Sequence, residues 1–146
     1  MGQPWSDLLK QARKHGDAAL AEVEERVAAG LEFLPQKERR KAEREGTEAG
    51  RRAQRRARTG ALDQALQLAG LWYRDVACVL DGAPELVHHS DRAAEVALDA
   101  ERVGDAHRVR AAVVLVDDAR ASFEVNPTED LLLEALASRL ERVLAG

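Results

Sequence analysis

The chain has 146 residues, with 22 Lys and Arg against 26 Asp and Glu, a net charge of −4, 45% hydrophobic residues and a single cysteine. That length supports one domain, or a small domain with an appendage. No apolar run approaches the 18 residues of a membrane span, and the start M-G-Q-P-W-S-D has no apolar leader, so a membrane or secreted protein is not expected.

Alanine, leucine and arginine dominate and isoleucine is absent, a composition of good helix formers that predicts an all-α chain. Cys78 lies in an apolar run and has no second cysteine to pair with. It is expected to be a small buried hydrophobe in a reducing cytoplasm. Met1-Gly2 with Ser6 meets part of a lipidation motif, but the intervening Pro4-Trp5 argues against it. The charge is segregated. Lys37 to Arg58 holds ten basic residues and four Glu, while the rest of the chain is acidic by ten charges.

In chain order, Ser6 is the expected cap of a first helix containing Leu8 and Leu9, stopped by Gly16. Asp17 then caps a second, with Leu20, Val23 and Val27 on one face and Gly30 at its end. Residues 1–35 thus read as a short αα-hairpin. Pro35 suits the start of the next helix. Residues 36–60 read as a basic helical connector, weakened by Gly46, Gly50 and Gly60 and solvated or frayed because alanine is nearly all it can bury.

Residues 61–146 carry the core signal. Leu62, Leu66, Ala69, Tyr73, Val76 and Leu80 recur at steps of three and four, the spacing of a helix-packing face, before Gly82 and Pro84 end the run. Asp91 is expected to cap a short helix to about Ala100. Asp105 should start another, with Val109, Val113, Val116, Ala119 and Phe123 on one face. Asn126-Pro127 reads as a cap and first helical position, and Leu133, Leu136, Leu140 and Val143 form the last stripe. No segment alternates with period two, so no sheet is predicted.

The chemistry of sites is sparse. Neither G-x-x-x-x-G-K-[ST] nor G-x-G-x-x-G occurs, so no phosphate cradle and no cofactor is expected. His88-His89 are neighbours whose side chains diverge, and His15 and His107 lack a second ligand one turn away, so no metal site is expected. Asp117-Asp118 and Glu129-Asp130 sit at helix ends or on polar faces, which suits the helix dipole better than acid–base work. No catalytic residue is assigned.

Two features point to surfaces. In L-A-G-L-W-Y-R-D-V, the side-by-side Trp72 and Tyr73 flank the apolar stripe, either as core-edge residues or as a surface for another protein. In the last helix, Leu131, Leu132, Leu133, Leu136 and Leu140 exceed the single stripe a two-layer core needs, so Leu131 or Leu132 is in excess.

L-x-x-L-W-Y-R-D-V after a basic helical stretch, followed by F-E-V-N-P-T-E-D-L-L-L-E-A-L-A-S-R-L, resembles the C-terminal collar domain of the delta-prime subunit of the bacterial DNA polymerase III clamp loader. The likeness covers about Arg58 to Leu144. Glu124 stands where relatives often have the first Asn of an N-x-N-P pattern, and 146 residues leave no room for the AAA+ module of a whole subunit. The chain looks like the tail of such a subunit. The resemblance implies an all-α, collar-like bundle with a basic helical extension, acting in DNA replication as a cytoplasmic, non-catalytic scaffold. It would pack in a hetero-oligomer with other clamp-loader subunits, with Trp72, Tyr73, Leu131, Leu132 and Leu136 as expected partner contacts and Arg74-Asp75 as a polar edge. The rival reading is a stand-alone helical nucleic-acid-binding protein using Arg39, Arg40, Arg44, Arg51, Arg52, Arg55 and Arg56.

Overall fold

The computed structural model describes residues 4–146, so Met1 to Gln3, with the start of the lipidation motif, lie outside it. Its elements are α1 (Pro4–Leu31), α2 (Gln36–Leu80), α3 (Ala93–Val103), α4 (Ala106–Ser122) and α5 (Glu129–Ala145), with single 3₁₀ turns at Pro84–Leu86, Ser90–Arg92 and Phe123–Val125. Among the described residues there is no strand, as the composition predicts. The chain divides into a unit ending at Leu62 and a unit Asp63–Gly146, so α2 supplies residues 36–62 to the first and 63–80 to the second.

The first unit corrects two expectations. Gly16 does not end a helix, and Ser6 and Asp17 cap none: α1 runs unbroken through all three. Gly16 is there because α2 comes so close. A Cβ on Gly16 would lie 2.9 Å from the carbonyl oxygen of Gln54, and one on Gly46 would lie 2.7 and 2.8 Å from the two methyls of Val27. Gly50 meets Leu20 in the same way. The order of these pairs (16 with 54, 20 with 50, 27 with 46) makes α1 and the first part of α2 an antiparallel pair with a glycine seam. Nor are residues 36–60 a frayed connector: Gly46 and Gly50 are buried, and Ala42, Ala49, Ala53 and Ala57 are half-buried on the same side. Alanine and glycine bury little area each, but they let two backbones approach, and sequence periodicity weighted by side-chain size misses this. Gln54 Nε2 also donates to Asp17 Oδ1 at 2.9 Å, and Arg39 Nε donates to the Leu34 carbonyl in the connecting turn.

In the second unit the end of α2 is a Schellman motif. The Ala83 N–H donates to the Cys78 carbonyl and the Gly82 N–H to that of Val79, with Gly82 left-handed at φ 79°. Gly104 ends α3 in the left-handed region at φ 65°. Asp105 caps α4 as expected, its side chain accepting from the His107 N–H at 2.8 Å. Two caps differ from expectation. Arg92, not Asp91, precedes α3, because Asp91 is used in a 3₁₀ turn. Asn126 adopts φ 53° and closes the turn from Phe123, which delays α5 until after Thr128. Asn tolerates this left-handed conformation where most residues do not.

The core of this unit is built from Val76, Ala77, Val96, Ala100 and Val109, with Trp72, Tyr73, Leu80, Val103 and Leu144 packed on it. Leu66, Ala112, Val116, Ala119, Leu133 and Leu136 are also buried, α5 lying on α4. The stripes on α2, α4 and α5 point inward as their spacing predicts. Three ion pairs set α2 against α4 in antiparallel order: Asp63 with Arg120 at 2.8 Å, Arg74 with Asp117 at 3.4 Å, and Asp81 with Arg110 at 3.0 Å. Gly70 sits where α4 approaches, 3.5 Å from Val116 if given a Cβ.

Candidate interaction surfaces

In the second unit, residues Trp72 to Asp75 face four ways because helix neighbours are about 100° apart. Trp72 is half-buried and its indole N–H donates to Asp99 Oδ2 at 2.8 Å. The Arg92 guanidinium lies 4.8 Å from the centre of its ring system, within cation–π range, and the His89 ring stands 5.5 Å away on a tilt. Tyr73 packs on the core, where burial and the nearby Asp99 charge raise its phenol above the ordinary value. Arg74 is exposed and reaches Asp117.

Asp75 corrects the expected polar edge. It is 2% exposed. Its carboxylate accepts from the His88 N–H at 2.7 Å, the His89 N–H at 2.9 Å and the His89 ring Nδ1 at 2.6 Å. Burial pushes its pKa up, but these hydrogen bonds and the His89 ring overcome that and hold it below the ordinary carboxylate range. His89 is therefore half-buried rather than a free loop residue. No sequence signal pairs residues 75 and 89; an Asp inside an otherwise apolar run is the one hint that a buried polar partner exists. The cluster is an anchor: it ties the segment after α2 to α2 itself.

Of the expected partner contacts, Leu136 is 6% exposed and belongs to the unit's own core, as does Leu133 of the apolar stripe at 3%. Leu132 is half-buried, while Leu131 is 64% exposed. The excess leucine is thus residue 131. Trp72 and Tyr73 are occupied within their own unit, with only part of each surface free.

In the first unit, Arg39, Arg40, Arg44, Arg51, Arg52, Arg55 and Arg56 are all exposed. At 100° per residue, Arg40, Arg44, Arg51 and Arg55 fall within an arc of roughly 60°, turned away from Gly46 and Gly50. Among the described residues no group of three or more His, Cys, Asp or Glu side chains could hold a metal ion, and no helix is long and apolar enough to cross a membrane. No family model, no curated protein and no solved structure matches the chain.

Proposed function

We propose that Asp63–Gly146 is a non-catalytic assembly domain of the DNA polymerase III clamp loader, docking through helix faces on other loader subunits in the cytoplasm during DNA replication. Two things support this reading: the sequence resemblance to the delta-prime collar, and the way this unit uses its polar groups. Asp63, Asp81 and Asp117 are spent on cross-helix arginines, Asp99 on Trp72 and Asp75 on backbone amides, which serves rigidity.

The observation that carries the docking surface is Leu131. A leucine 64% exposed on a helix that buries Leu133 and Leu136 beneath it presents an apolar anchor to a partner, and interfaces concentrate their energy in such anchors. The test mixes the chain with purified clamp-loader subunits of the same organism and follows complex formation by gel filtration. The wild type is expected to co-elute, and Leu131→Glu to remain helical by circular dichroism yet elute alone. Failure of the wild type to join any complex, or undiminished binding by Leu131→Glu, overturns the proposal.

A further inference from the structure

We propose that the arginine row of α2 (Arg40, Arg44, Arg51 and Arg55) binds the phosphate backbone of nucleic acid without regard to sequence. This surface lies in the first unit and stands independently of the clamp-loader reading.

The geometry makes the case. All four guanidinium groups sit on exposed residues of one face, and at 1.5 Å per residue they extend over about 22 Å. Of the acidic residues nearby, Glu48 is engaged by Arg52 at 3.8 Å and Glu45 by Lys41 at 3.9 Å, while Glu43 lies beside Arg40 and Arg44 as the one acidic neighbour set against four arginines. Arg40 and Arg44, and Arg51 and Arg55, are each one turn apart, so the row presents two pairs of positive groups along one unbroken helical rod. The rod is held by the seam with α1, where Gly46 and Gly50 let Val27 and Leu20 seat against the α2 backbone. A rigid row forfeits less conformational entropy on binding than a flexible basic tail.

The same face argues against an acidic protein as the partner. Arg40, Arg44, Thr47, Glu48, Arg51 and Arg55 include no apolar side chain, whereas protein interfaces are organised around a buried apolar or aromatic core. A phosphate backbone needs none. Arginine meets phosphate oxygens through its planar fork, and contacts of this kind position a protein on nucleic acid without reading bases.

The number of contacts predicts the salt dependence. Four phosphates neutralised give a slope of about −3.6 for log affinity against log salt, or a loss of about 150-fold between 50 and 200 mM KCl. The experiment uses the full 146-residue chain and a fluorescein-labelled 24-base-pair duplex of scrambled sequence, read by anisotropy. The variant carrying Arg40→Gln, Arg44→Gln, Arg51→Gln and Arg55→Gln is expected to keep its helical content and to lose at least tenfold in affinity at 50 mM KCl, with the slope reduced by about 3. The matching four-lysine variant should bind within a few-fold of wild type. Leu131→Glu should bind the duplex as wild type does, which separates this surface from the docking surface. No binding at 50 mM KCl, or a Gln variant with an unchanged slope, overturns the proposal. Displacement of the duplex by polyglutamate as readily as by unlabelled duplex also overturns it, in favour of an acidic protein partner.

Discussion

The Asp75 carboxylate accepts three hydrogen bonds from two consecutive residues, His88 and His89, fourteen positions away at most, and it does so almost wholly out of solvent. A single side chain thereby satisfies two backbone amides that the irregular segment after α2 would otherwise leave without partners. The arrangement has the form of a helix cap built across the chain, and the stability of the second unit depends on it.

Replacement of Asp75 by Asn keeps the shape but removes the charge and turns an NH₂ toward donors. We expect Asp75→Asn to lower stability by about 2–3 kcal/mol, the cost of spoiling buried, charge-assisted hydrogen bonds. Urea unfolding followed by circular dichroism measures it. Combined with His89→Ala, the two changes should be non-additive by at least about 0.5 kcal/mol, because they share one contact.

The pH dependence follows from the direction of the shift. The folded Asp75 pKa lies below the ordinary value, near 3.9 for an unfolded chain. Its contribution to stability is therefore complete above the unfolded value and is lost as pH falls through the folded one. Thermal midpoints measured from pH 7 downward should fall below about pH 5, and that fall should be shallower in Asp75→Asn. Parallel curves for the two proteins would show that Asp75 is not the titrating group.

The glycines of α2 should respond to alanine with opposite signs. At Gly60 a Cβ meets nothing within 4 Å, so Gly60→Ala should stabilise by up to about 1 kcal/mol through helix propensity alone. At Gly46 the new Cβ would press on both methyls of Val27, a β-branched side chain with little freedom to turn. Gly46→Ala should therefore destabilise by about 1–3 kcal/mol. Thermal melts of the two variants decide it, and a stabilising Gly46→Ala would mean that the seam is looser than described.

Two leucines five residues apart on α5 should behave differently. Leu136→Ala removes a buried side chain and should cost about 2–4 kcal/mol. Leu131→Ala changes an exposed residue and should stay within about 0.5 kcal/mol. Equal losses in chemical denaturation would place Leu131 in the core and remove the basis for docking through it.

Helical class, the inward stripes of α2, α4 and α5, the stop after Leu80 and the Asp105 cap were all legible in the sequence. Each is set within a few residues of itself, by apolar spacing or by a side chain reaching its own backbone. The excess of leucine on α5 was legible too, but not which leucine, since 131 and 132 differ by about 100° of helix rotation and only the placement of α4 selects between them.

Tertiary structure alone decided the rest. Gly16 reads locally as a helix stop and Gly46 as a weak point, because a glycine's sequence neighbours say nothing of the Gln54 carbonyl or the Val27 methyls that meet it from the other helix. Asp75 reads as a polar edge for the same reason: its burial and lowered pKa come from amides thirteen and fourteen residues on. Asn126 could cap a helix or turn left-handed, and in the folded chain it closes the turn from Phe123 at φ 53°. Local preference is written in single residues and their near neighbours; close approach and buried polar pairing exist only once distant segments have met.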